Sequence, residues 1–76
     1  MHKTFREIID LWGTYAALAH DVGEKYVTVQ QWHFRDRIPA RVWPKVVEAA
    51  KAKGHSSVTL EALATLNADY AARSAA

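Results

Sequence analysis

The sequence predicts an all-α fold, a compact domain of five short helices with no sheet. Three observations predict it. Apolar residues recur at the i, i+3, i+4, i+7 spacing of a helix face. Threonines stand where helices would start, and Gly13, Gly23 and Gly54 follow the apolar runs where helices would stop. Half of the 76 residues are hydrophobic, among them three Trp, three Tyr and two Phe. That supplies one core near the lower size limit for independent folding, so burial against a second subunit would add stability.

The first helix is expected at about residues 4–12. Thr4 and Glu7 form a capping-box pair, Phe5, Ile8, Ile9 and Trp12 share one face, and Gly13 closes the helix. Thr14 caps the second, at about 15–22, whose apolar face is Tyr15, Leu18, Ala19 and Val22. Ala16 and Ala17 keep its helix propensity high, and Gly23 redirects the chain.

The third helix is expected at about 26–34. Val27, Thr28 and Val29 favour a strand by propensity. Gln30, Gln31 and Trp32 continue the run without alternation, however, and flanking helices would leave a lone strand unpaired. Asp36 and Arg37 form a connector, and Ile38-Pro39 is extended because the residue before a proline avoids the α region. A fourth helix at about 40–53 carries Val42, Trp43, Val46, Val47 and Ala50 on one face. Pro44 must lie in its first turn, where a missing N–H is harmless, and an irregular start is expected there. Gly54 follows the favourable cations Lys51 and Lys53. After the polar loop His55-Ser56-Ser57, Thr59 caps a fifth helix bearing Leu60, Leu63, Leu66 and Tyr70. The tail AARSAA is expected to fray. The reading is a single domain over 1–76 with its core at about 4–70.

Composition argues against several functional classes. There is no cysteine, so disulfides and thiolate metal sites are excluded and a reducing cytoplasm is the expected compartment. His2, His20, His33 and His55 lack the short spacing of metal ligands, so neither metal nor cofactor is expected. No nucleophile–base spacing stands out, and the chain does not read as an enzyme. No apolar run approaches the roughly 20 residues of a membrane span. The acids inside the apolar start argue against a signal peptide. Trp12, Trp32, Trp43 and Tyr70 are phased for a core rather than for stacking on single-stranded nucleic acid.

Charge is more informative by position than in total. Net charge is +2, yet residues 25–53 hold seven cations against two acids, a local +5, while the rest sums to −3. A basic segment in a nearly neutral chain fits a polyanion-facing surface, with solvated helix surface as the plain alternative.

Residues Tyr15 to Trp32 carry the sharpest pattern. Ala19 is small where two helices must cross closely, Gly23 makes the turn four residues later, and Val29 and Trp32 seat the next helix. Opposite them lie Val27, Gln30, Gln31 and Phe34. Glutamine pairs bidentately with adenine N6 and N7, and an apolar side chain meets a thymine methyl.

This spacing resembles that of the Cro and phage-repressor class of helix-turn-helix regulators, and the resemblance extends over about residues 4–66. It implies a lambda repressor-like fold and sequence-specific binding of double-stranded DNA by a small Cro-like repressor. Residues 26–34 would read the major groove, with base contacts from Lys25, Tyr26, Val27, Gln30 and Gln31. Tyr26 and Val27 depart from the small or polar residues common at those positions. Phosphate contacts are expected at Thr14 and Tyr15, where a helix N-terminus favours an anion, and at Thr28, Arg35, Arg37 and Arg41. The expected partners are DNA and a second copy of the chain, in a bacterial or phage-encoded cytoplasmic protein. The alternative is a helical protein-interaction module, an adaptor or antitoxin-like partner without direct DNA readout.

Overall fold

The computed structural model describes residues 4–75, with side chains described through residue 72. It is all-α. Five α-helices follow one another: α1 (Phe5–Asp10), α2 (Tyr15–Val22), α3 (Tyr26–Arg35), α4 (Trp43–Ala52) and α5 (Leu60–Ala75). Three starts are capped as expected. The hydroxyls of Thr4, Thr14 and Thr59 accept from the N–H groups of Glu7, Ala17 and Ala62, each at 3.1 Å. Each satisfies one N–H that the helix itself cannot bond.

The stops are equally local. Gly23 adopts the left-handed conformation at φ 71°, and the carbonyl of Ala19 accepts from both Gly23 and Glu24. A side chain at residue 23 would be strained by its backbone alone, since an added Cβ would touch nothing within 4 Å. This turn lets α3 leave α2 at once and cross it beside Ala19, which is buried.

The start of α4 is irregular, as expected, and α5 runs further than expected. A 3-10 turn at Ala40–Val42 precedes α4, which begins at Trp43 with Pro44 in its first turn. α5 continues to Ala75, past Tyr70 where its apolar face ends, into the tail for which fraying is expected.

The core gathers one face of every helix. Phe5, Ile8, Ile9 and Trp12 meet Leu18 and Val22, Val29 and Trp32, Ile38 and Val42, Val46 and Ala50, then Val58, Leu63 and Leu66. Among the described residues no polar or charged side chain is buried. The fold is therefore held by apolar burial, and directional bonds sit at its edges. One such bond fixes the start of α4: the Trp43 indole N–H donates to the Ile38 carbonyl at 2.8 Å.

Candidate nucleic-acid interface

α3 is amphipathic in an uncommon way. Val29 and Trp32 are buried, at 0% and 5% exposure. At about 100° per residue, the opposite side is an arc of about 100° holding Val27, Gln30, Gln31 and Phe34. All four are exposed, and Val27 and Phe34 reach 54% and 78%. No charge lies within this arc.

The flanks of α3 are fixed differently. On one side, Tyr26 and His33 pack against Tyr15 of α2, at ring-centroid distances of 5.8 and 5.2 Å. His33 Nε2 also meets Asp10 Oδ1 at 3.0 Å, so this histidine ties α3 to α1. Half-buried Thr28 and exposed Arg35 lie on the other flank.

Both ends of α3 matter. Lys25 occupies the N-cap without a side-chain cap bond, where α1, α2 and α5 each have a threonine. A cation there works against the helix dipole and raises the positive potential at the start of α3. The C-terminus closes on Asp36, the one described residue other than glycine with a positive φ, 56°. There α1 and α3 clasp each other. The Arg6 N–H donates to Asp36 Oδ1 at 3.0 Å, while the Arg6 guanidinium donates to the carbonyls of His33 and Phe34 at 2.7 and 2.8 Å. A cation thus meets the last carbonyls of α3, and a carboxylate meets the first turn of α1, each matching the local dipole.

Apart from Thr28 and Arg41, the expected site residues divide into three groups. Lys25, Tyr26, Val27, Gln30 and Gln31 share the outer surface at and after the start of α3. Thr14 and Tyr15 line a shallow notch with Gly13, Ala16 and Tyr26 at the start of α2. Thr14 spends an acceptor lone pair on its cap and retains a hydroxyl proton to donate. Arg35 and Arg37 line a second concavity with Trp32, Pro39 and Ala40 beyond the end of α3.

Two of the cations have intramolecular partners. The Arg37 guanidinium lies over the Tyr70 ring at 5.3 Å, a cation–π contact that leaves its N–H edge able to donate. Arg41 Nη1 meets Glu24 Oε2 at 3.3 Å, so its charge is partly offset. Sequence spacing misses Arg6, His33 and Asp36 as determinants of how α3 is held. Their partners are 23 to 30 residues away, and no local pattern announces them.

No protein-family model, curated protein or solved structure matches the chain. The reading of this surface therefore rests on its own chemistry. Among the described residues no three His, Asp or Glu side chains gather as metal ligands, and no helix is long and apolar enough to cross a membrane.

Proposed function

We propose that this chain is a sequence-specific double-stranded DNA-binding regulator that lays the outer face of α3 in the major groove. One observation carries the proposal. α3 exposes Gln30 and Gln31 between apolar side chains on an uncharged arc, with Lys25 before it and Arg35 and Arg37 after it. An uncharged hydrogen-bonding face between cations suits base edges flanked by phosphates. The α2–Gly23–α3 geometry supports the same docking mode, with the start of α2 toward the backbone.

Repression by occupancy is the simplest mechanism for such a domain. A homodimer would span two half-sites one helical turn, about 34 Å, apart. Leu60, exposed at the start of α5, supports a self-association surface there. A single sedimenting monomer at high micromolar concentration, with and without duplex, counts against the dimer. The compartment that fits is the cytoplasm, with the protein on the nucleoid when bound.

The test is binding as a function of salt and sequence. Affinity for duplex falls steeply with salt as counterions are released. Gln31→Ala weakens the preferred site by about 1–3 kcal/mol and relaxes discrimination. Arg35→Ala weakens all sequences alike and lowers the salt slope by about 1. Duplex binding that neither variant alters refutes the assignment.

Phe34, at 78% exposure, favours a second reading as a protein-interaction module. That reading requires capture of a protein ligand with little salt dependence and no shift of any duplex.

A further inference from the structure

Phe34 is the most exposed large apolar side chain of the described residues, and the contacts assigned above leave it unused. It is not a frayed end. Its carbonyl accepts from Arg6 Nη2 at 2.8 Å, and the turn after it closes through Asp36. An ordered backbone therefore presents a phenyl ring to solvent on the same arc as Val27, Gln30 and Gln31.

From this placement we infer that Val27 and Phe34 read thymine 5-methyl groups at the two ends of a short A·T-rich half-site, with Gln30 and Gln31 on adenines between them. This deepens the major-groove reading and rests on it. Val27 and Phe34 are seven residues apart, about 10.5 Å along the axis at 1.5 Å per residue. That span equals about three base-pair steps of 3.4 Å. Thymine is the base that shows a methyl group in the major groove, and adenine shows the N6–N7 pair that a glutamine amide matches. Every A·T pair supplies both features, so an arc that sets two amides between two apolar groups finds its complement in a run of such pairs.

Charge selects the occupant. Exposed Lys25 precedes the arc and exposed Arg35 and Arg37 follow it, within the segment of local charge +5. A polyanion with apolar groups inside its groove meets both the cations and the two apolar side chains. An apolar protein surface meets only the apolar side chains.

The experiment selects duplexes from a random pool, then replaces each thymine of the winning site in turn with deoxyuridine, which removes only the methyl. Binding is read by fluorescence anisotropy for wild type, Val27→Ala and Phe34→Ser, each checked by circular dichroism for an unchanged helical fold. The expected result is a winning core of A·T pairs. Wild type loses about fourfold in affinity per contacted methyl removed. Phe34→Ser binds thymine and uracil alike at one end of the core, and Val27→Ala does so at the other. Equal binding of thymine and uracil duplexes by wild type overturns the inference and leaves the DNA reading intact. So does a winning core with G·C pairs at its ends, or a Phe34→Ser variant with full thymine discrimination. No duplex enriched at any salt, with Phe34-dependent capture of a protein instead, removes the DNA reading and this inference together.

Discussion

α3 and α4 are each ten residues long and pack on the same core, yet their outer faces differ. α4 shows solvent Lys45, Glu48 and Lys51, a mixed-charge stripe of the kind that keeps a helix solvated. α3 shows Val27, Gln30, Gln31 and Phe34. Folding would be served as well by the first kind of face as by the second. The composition of α3 therefore answers to something outside the fold. Lys25 makes the same point at the helix start, where a threonine would be better for stability.

The largest effect that tests this contrast lies on the buried side. Trp32→Ala removes a core side chain that is 5% exposed and leaves a cavity behind it. The expected loss is about 3–5 kcal/mol. Total stability for a domain of this size is only about 4–11 kcal/mol at the usual value per residue. Urea unfolding followed at 222 nm should show a midpoint displaced toward zero. A shift worth less than about 1 kcal/mol would mean that the buried side of α3 is misassigned.

Next comes the clasp that α3 has and α4 lacks. At the end of α4 the carbonyls of Lys51 and Ala50 accept from the backbone N–H groups of Gly54 and His55. α3 ends on Arg6. Arg6→Ala should cost about 1–2 kcal/mol, since charge-assisted bonds to two carbonyls are lost at an exposed site. Hydrogen exchange would locate the loss at the last turn of α3. If exchange instead rises evenly over the chain, Arg6 acts through global stability and not by holding that turn.

The clasp also marks what the sequence made legible. Caps are local, so Thr4, Thr14, Thr59 and Gly23 announce their helices from three or four residues away. The fold class and the burial of Val29 and Trp32 follow from such spacing, and so does the exposure of Gln30 and Gln31. Arg6 with Asp36, His33 with Asp10 and Arg41 with Glu24 depend on how helices dock, which periodicity does not encode. Arg41 reads from sequence as a phosphate contact or as the partner of an acid, and in the structure it stands beside the Glu24 carboxylate. The tie that His33 makes between α3 and α1 is likewise unannounced by spacing.

A smaller effect separates the two helices by pH. Asp21 of α2 is where α1 and the end of α4 meet: Trp12 Nε1 donates to it at 2.9 Å and Lys53 Nζ lies 4.0 Å away. The indole bond foremost, then the bond from His20 and the charges of Lys53 and His20, hold its carboxyl below the ordinary 3.8 against a partial desolvation that raises it. A depressed carboxyl contributes stability above its unfolded pKa, and that contribution is lost as pH falls through the folded value. Asp21→Asn keeps an acceptor for Trp12 and removes the charge. The variant should be slightly less stable than wild type at pH 6, and the two should converge as pH falls through the lowered value of the folded carboxyl. The carboxylate is partly exposed, so solvent keeps the difference small. A gap that stays constant as pH falls until the carboxyl is protonated would show that shape, not charge, is what Asp21 contributes.

The smallest expected effect on stability is the most informative about α3. Phe34 is 78% exposed, so Phe34→Ser removes little burial, and its cost should stay within about 0.5 kcal/mol. Exposed phenyl surface is a liability in water and a source of unwanted association. A variant that folds as well, stays soluble at higher concentration and loses duplex discrimination would separate the two requirements on one helix. If Phe34→Ser instead destabilises by as much as Arg6→Ala, the ring contributes to closing the end of α3. The difference between α3 and α4 would then belong to folding after all.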